Sequence, residues 1–97
     1  MVPARLASES VAGGEKNYNM NYTYVLQSNI DYKLYIGWTN NLKLRILDHN
    51  RGKVAATKNR RPLKLVYYEA CTSKENAIKR ERYFKTGYGR RFLKKRI

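Results

Sequence analysis

The chain has little cysteine, little negative charge and no long apolar run. Its single cysteine, Cys71, excludes an internal disulfide, and its position at the end of a predicted strand favours a packing role over a catalytic one. No apolar run approaches the roughly 20 residues of a membrane-spanning helix, and the first residues lack the apolar core of a secretory signal. The sequence therefore predicts a soluble, cytoplasmic protein with no membrane partner.

The short length excludes a second domain of ordinary size. A chain of 97 residues has one modest core, because small chains bury a smaller fraction of their surface. Residues 1–19 mix small and polar residues with no hydrophobic periodicity, which predicts a flexible leader. Residues 20–97 are predicted to form the single domain.

Acidic residues are scarce, with seven Asp and Glu against 21 Lys and Arg, for a formal net charge of +14. Such an excess suits a polyanionic partner, and nucleic acid is the first candidate. A merely solubilising surface and binding to ribosomal RNA are alternatives that composition leaves open. The positions of the few acids and of the only histidine decide between them.

The first half of the domain predicts a β-hairpin followed by a helix. Aromatic and β-branched residues alternate over residues 21–28 and 33–39, and the Asn and Asp between them favour a turn. Asn40 or Asn41 can then cap a helix that ends near residues 50–52. One face of that helix has helical spacing and carries Leu42, Arg45, Ile46 and His49, and Leu44 and Leu47 are expected to extend its apolar side.

The second half predicts a cationic loop, a strand and two helices. Residues 51–64 hold six basic residues and no acid, and Pro62 argues against a continuous helix there. Residues 63–70 have the composition of a third strand. The predicted fold class is α+β: a three-stranded, mainly antiparallel sheet flanked by helices.

Two helices are predicted to follow the third strand. Thr72 and Glu75 match a capping box for a helix that runs to about Thr86, and a short basic helix follows at the C-terminus. The longer helix has an apolar sector that comprises Ala77, Ile78, Phe84 and Tyr88, and Glu81 lies inside this sector.

Glu81 needs a partner, because burying an unpaired carboxylate costs several kcal/mol or more. A salt bridge with Arg80, Arg82 or Arg45 is one solution. A hydrated Mg²⁺ is the other, with substrate phosphate and water as its remaining ligands. If Tyr35 faces the helix that carries Arg45 and His49, the cleft also holds a phenol, a guanidinium and an imidazole, a set suited to phosphodiester hydrolysis.

These residues resemble the GIY-YIG nuclease superfamily, and in particular its small stand-alone bacterial members, related to the nuclease domain of the excision-repair incision enzyme. The second family motif is intact at Tyr35-Ile36-Gly37. Arg45, ten residues after Tyr35, and His49, four further on, stand at the family's arginine and His-or-Tyr positions, and Glu81 matches its metal-binding glutamate. The first motif departs from its name, since it reads Tyr22-Thr23-Tyr24 and keeps only the last tyrosine.

The resemblance implies a divalent-metal-dependent endonuclease with one Mg²⁺ or Mn²⁺ on Glu81. Tyr35 would act as the general base or position it, and His49 would help this phenol lose its proton, because the ordinary phenol pKa is about 10. Arg45 would hold the scissile phosphate, and Tyr24 would orient Tyr35 or the attacking water. Ordinary strand packing is the alternative role for each tyrosine. Trp38 stands where some relatives have a lysine that assists the base.

The implied substrate is DNA, single-stranded or branched, in DNA repair or processing. Phosphate contacts outside the active site are predicted for the basic residues of the loop and the terminal helix, namely Lys58, Arg60, Arg61, Arg90, Arg91, Lys94 and Lys95. The alternative function is a non-catalytic nucleic-acid-binding module. The full set of catalytic residue types favours the enzyme, because a binding module needs cations but no carboxylate on an apolar face.

Overall fold

The computed structural model describes residues 19–97, so nearly all of the predicted leader lies outside the described residues. The chain forms β1, β2, α1, a short 3₁₀ helix, β3, α2 and α3, which span in turn Asn21–Ser28, Leu34–Thr39, Leu42–Asn50, Lys58–Arg60, Leu63–Cys71, Lys74–Phe84 and Gly87–Lys94. The predicted α+β class is confirmed. None of the helices in the described part has the length and apolar character needed to cross a membrane.

The sheet has the strand order β2-β1-β3, and β1 pairs antiparallel with both neighbours. In this register Tyr24 lies opposite Gly37 of β2 and Tyr68 of β3, while Leu26 lies opposite Tyr35. The predicted hairpin is therefore confirmed, and it brings Tyr24 and Tyr35 to neighbouring positions on one face of the sheet.

Each face of the sheet has its own core because side chains alternate along a strand. On one face Tyr24, Leu26 and Leu63 form a buried cluster, against which Leu42 and Ile46 of α1 pack. On the other face Val25 and Ile36 pack with Phe84 of α2 and Leu93 of α3. The molecule is thus a three-layer arrangement, with α1 on one side of the sheet and α2 and α3 on the other.

The structure corrects two predictions about α1 and the start of α2. Asn41 caps α1 by accepting a hydrogen bond from the Leu44 N–H at 3.2 Å. Leu44 and Leu47 do not extend the apolar side, since they are 48% and 42% exposed. Ser73 rather than Thr72 caps α2, and its side chain accepts from the Asn76 N–H at 3.1 Å.

The structure also corrects the apolar sector predicted for α2. That helix ends at Phe84, and Tyr88 belongs to α3, where it is 73% exposed. Thr86 caps α3 by accepting from the Gly89 N–H, so the chain changes direction between the two helices. Glu81 therefore lies beside Ala77, Ile78 and Phe84 in a sector that ends one turn earlier than predicted.

Candidate active site

Strands β1 and β2 and helix α1 bring four of the predicted site residues together. The rings of Tyr35 and His49 meet edge to face at a centroid distance of 4.9 Å, and the Tyr24 ring lies 5.7 Å from His49 and 6.4 Å from Tyr35. The fourth residue, Arg45, is one helical turn before His49 on the same face of α1. Tyr24 and His49 are fully buried, whereas Tyr35 and Arg45 are partly exposed.

Both ring nitrogens of His49 have hydrogen-bond partners. Nε2 lies 2.9 Å from the Tyr24 hydroxyl, and Nδ1 lies 2.7 Å from the buried Thr57 hydroxyl. The Thr57 hydroxyl also faces the Val54 carbonyl at 3.5 Å, which can only accept. The Thr57 proton is therefore directed to Val54, so His49 donates from Nδ1 to Thr57 and accepts at Nε2 from Tyr24.

The surroundings of His49 and Tyr24 determine the protonation states of these two side chains. Burial, followed by the positive charge of Arg45, lowers the pKa of His49 to about 4, which keeps the imidazole neutral at pH 7. Burial also raises the pKa of the Tyr24 phenol, although the neighbouring Arg45 guanidinium acts in the opposite direction. The contact with Tyr24 is in turn the main reason that the pKa of Arg45 is raised. Tyr24 is thus a proton donor to His49 and a neighbour of a permanent cation.

The predicted pairing of His49 with Tyr35 is wrong. His49 donates to Thr57 and accepts from Tyr24, so it has no ring nitrogen left for the Tyr35 hydroxyl. The Tyr35 ring instead meets the imidazole ring edge to face. The physical reason is that the two tyrosines differ in burial. Tyr24 lies in the central strand and is buried beneath α1, whereas Tyr35 lies in an edge strand and remains partly exposed.

Gly37 makes room for this arrangement. A Cβ atom at position 37 would lie 2.6 Å from the Tyr24 hydroxyl oxygen and 2.7 Å from its Cζ, distances that packed side chains do not tolerate. The glycine of the second motif is therefore explained by the tyrosine of the first. Its lack of a side chain lets the Tyr24 phenol cross over β2 toward His49.

Glu81 approaches the group from α2, and its negative charge contributes to the raised pKa of Tyr24. The salt-bridge partners predicted for it are wrong. Its Oε2 accepts from Lys85 Nζ at 3.0 Å, an i,i+4 pair, while Arg80 binds Glu69 at 2.7 Å. The carboxylate is only about one-fifth exposed, and among residues 19–97 Lys85 is its hydrogen-bond partner.

The donor set suits a weakly held, largely hydrated divalent ion. Among residues 19–97 there is no group of three His, Cys, Asp or Glu side chains that could enclose a metal. The Glu81 carboxylate offers hard oxygen ligands, which Mg²⁺ accepts when water and phosphate supply the remaining ligands. A fully protein-bound metal centre does not fit this part of the chain.

The predicted phosphate-binding residues of the loop separate into two kinds. Lys58 and Arg61 are exposed and line a cavity of about 530 Å³ beside the end of α1, and Arg61 Nε donates to the Lys58 carbonyl at 2.8 Å. Arg60 already has partners within the protein. It binds Asp31 at 2.9 Å and the Lys33 carbonyl at 3.0 Å, and these contacts join the loop to the hairpin turn.

The predicted phosphate-binding residues of α3 point to more than one surface. Arg90 and Lys94 line a cavity of about 510 Å³ with residues of the hairpin. Arg91 instead stacks on Tyr88 with 4.8 Å between its guanidinium carbon and the ring centroid. Lys95 is the exposed C-cap residue of the helix.

Thr57 is one of two residues near the site that the sequence did not identify. It stands in the cationic loop, eight residues after His49, and no helical or strand periodicity links the two. Lys85 was also missed, although its spacing of four residues after Glu81 on one helix is a recognisable signal for an ion pair.

Comparisons with known proteins show which family this chain belongs to. A family model described as the GIY-YIG catalytic domain matches residues 20–96. A UPF0213 protein of Clostridium perfringens is 51% identical over 67 residues, which cover 68% of this chain and 71% of the relative. A UPF0213 protein of Syntrophus aciditrophicus is 46% identical over 67 residues, covering 67% and 76%. The solution NMR structure of UPF0213 protein BH0048 from Bacillus halodurans is 32% identical, covers 76% of this chain and 81% of that one, and superposes with a TM-score of 0.48.

Proposed function

Because this chain belongs to the GIY-YIG catalytic-domain family, we propose that it is a divalent-metal-dependent endonuclease that hydrolyses DNA. Single-stranded or branched DNA is the proposed substrate, in DNA repair or processing, and a cytoplasmic location belongs to the same proposal. The observation that carries the proposal is the convergence of Tyr24, Tyr35 and His49 beside Arg45, with the negative charge of Glu81 close enough to raise the pKa of Tyr24.

Each residue of this group has a separate role in the proposed hydrolysis. Tyr35 is exposed enough to meet substrate and positions the attacking water or accepts its proton. Arg45 binds the scissile phosphate and offsets the charge that develops in the transition state. Neutral His49 anchors the buried Tyr24 hydroxyl, so that the Tyr24 oxygen faces Arg45 in a fixed position.

Glu81 would hold the divalent ion. When bound, such an ion polarises the phosphate and stabilises the leaving oxygen. Lys85 occupies one oxygen of the Glu81 carboxylate at 3.0 Å, so a metal ligated by this residue shares it with a cation or displaces that cation. This competition predicts that Lys85 weakens metal binding, and the DNA phosphate would supply a further ligand to the ion.

A second candidate function is a nucleic-acid-binding module without turnover. The Glu81–Lys85 pair is the observation that favours it, since a neutralised carboxylate has a structural role without any metal. The buried Tyr24–His49–Thr57 chain favours the enzyme, because it fixes the orientation of the Tyr24 hydroxyl beside Arg45.

Cleavage of a panel of labelled oligonucleotides distinguishes the two functions. Single-stranded, flap, junction and duplex DNAs are incubated with the protein in Mg²⁺, in Mn²⁺ and in EDTA. The endonuclease predicts cleavage in either metal and none in EDTA, with single-stranded or branched DNA cut fastest. Binding of all four DNAs without cleavage in any metal would assign the chain to the second function.

A further inference from the structure

A cavity of about 510 Å³ lies between the hairpin and α3, and none of Tyr24, Tyr35 and His49 lines it. Its lining residues are Tyr32, Lys33, Leu34, Ile36, Arg90 and Lys94. Leu34 and Ile36 flank Tyr35 in β2, and side chains alternate along a strand, so the cavity lies on the opposite face of the same edge strand from Tyr35. The cavity is therefore lined by two apolar side chains, one aromatic ring and three cations.

The three cations of this cavity are not neutralised by any other residue in the described part of the chain. No acid lines the cavity, and within residues 19–97 neither Lys33, Arg90 nor Lys94 has an ion pair through its side chain. The nearest acid along the chain, Asp31, is already bound to Arg60 at 2.9 Å. Like charges converging without a counter-charge are favourable only when an anion joins them.

Tyr32 is the unusual member of the group. It is 71% exposed and takes a left-handed backbone conformation, with φ at 59°, where glycine or asparagine is normally found. The Tyr32 N–H donates to the Ser28 carbonyl at 2.9 Å and Gln27 Nε2 donates to the Tyr32 carbonyl at 3.1 Å, so the backbone is held there. A strained, exposed aromatic residue gains little from packing, and such outliers favour a functional explanation.

We propose that Tyr32, Lys33, Arg90 and Lys94 form a subsite for single-stranded DNA, in which Tyr32 stacks on an unpaired base and the three cations bind the flanking phosphates. This subsite rests on the proposed function only in that DNA is the ligand. Base stacking on an exposed aromatic residue above a cationic groove is the general mode of single-strand binding. Because β2 is the edge strand and Tyr35 lies on its other face, DNA bound at this subsite can continue around β2 to Tyr35.

Anisotropy of labelled DNA in EDTA tests the subsite without cleavage. The ligands are a single-stranded oligothymidine, a duplex of equal length, and an oligothymidine with abasic positions. Tyr32→Asn removes the ring and suits the left-handed backbone, and Tyr32→Phe keeps the ring. Tyr88→Asn is the matched control, because Tyr88 is equally exposed at 73% on α3 but does not line the cavity.

The subsite predicts that Tyr32→Asn weakens single-strand binding about 5- to 150-fold, the range of one lost stacking contact, and changes duplex binding less than about twofold. Tyr32→Phe and Tyr88→Asn should bind like the wild type. Abasic DNA should bind the wild type as weakly as oligothymidine binds the Tyr32→Asn protein. Arg90→Ala combined with Lys94→Ala should lower the salt slope for single strands by about 1.4.

Equal affinities of the Tyr32→Asn and Tyr88→Asn proteins for oligothymidine would overturn the proposal, and so would wild-type affinity for abasic DNA. Failure of the subsite leaves the wild type able to bind and cleave DNA. Failure of the proposed function appears instead as a wild-type protein that binds none of the three ligands or cleaves nothing when Mg²⁺ is restored.

Discussion

His49 is held neutral by its surroundings, which links the stability of the protein to pH. Its pKa is lowered to about 4 in the folded state, mainly by burial, and returns to the ordinary 6.5 on unfolding. As the pH falls through this window the unfolded chain binds the proton first, so folded-state stability is present above 6.5 and is lost toward 4. We expect the free energy of unfolding to fall by about 2 kcal/mol between pH 7 and pH 5.

Urea unfolding at several pH values measures this effect, and His49→Gln is its control. Glutamine keeps polar contacts but does not titrate, so its free energy of unfolding should change much less over the same interval. The window lies above the ordinary pKa of Asp and Glu, which separates the histidine from the acids. An identical pH dependence in both proteins would contradict the neutral, buried His49.

Thr57 is a positioning residue whose hydroxyl fixes the His49 tautomer. Thr57→Val keeps the shape but removes the acceptor for His49 Nδ1, which leaves a buried N–H without a partner and costs about 1–3 kcal/mol. The loss of orientation should also lower kcat about 10- to 100-fold, because Tyr24 is no longer anchored. Single-turnover cleavage by the folded variant at saturating DNA measures this loss of rate. Thr57→Ser should restore the rate, and equal rates for valine and serine would argue against the role.

At the scale of helices and strands, local patterns predicted most of the site. The i, i+4 spacing in α1 was enough to predict that Arg45 and His49 share a face, and the alternation of β1 and β2 was enough to predict the hairpin. Leu44 and Leu47 were misjudged because hydrophobicity does not reveal how wide a face of a short helix the sheet covers. The His49–Thr57 bond was not predictable, since it depends on how the loop closes in three dimensions.

The spacing of charges on α2 leads to a prediction about metal affinity. Lys85 and a divalent ion would compete for Glu81, and an exposed i,i+4 pair is worth about 0.3–0.5 kcal/mol. Lys85→Gln should therefore lower the Mg²⁺ concentration for half-maximal cleavage by about twofold. Lys79→Gln, an exposed lysine on the same helix, should leave it unchanged. A Lys85→Gln protein that needs the wild-type concentration or more would speak against Glu81 as the ligand.

At the scale of the whole molecule, the charge of +14 predicts strongly salt-dependent DNA binding. Lys58→Ala combined with Arg61→Ala should weaken binding and lower the salt slope by about 1.4 for single strands, because each lost phosphate contact contributes about 0.7. Arg60→Ala is the contrast, since Arg60 is bound to Asp31 and should affect stability more than the slope. Titrations at several salt concentrations measure the slopes. A double variant with the affinity and salt slope of the wild type would show that the loop does not contact DNA.

The proposed metal-dependent hydrolysis depends on Glu81. The most direct test is the rate at which Glu81→Gln cleaves a labelled single-stranded oligonucleotide at saturating DNA and Mg²⁺, beside Glu75→Gln, which removes an exposed carboxylate from the first turn of the same helix. We expect Glu81→Gln to lose cleavage by at least about 10²-fold while it still binds DNA, and Glu75→Gln to cleave like the wild type. Wild-type turnover by the Glu81→Gln protein would contradict the claim.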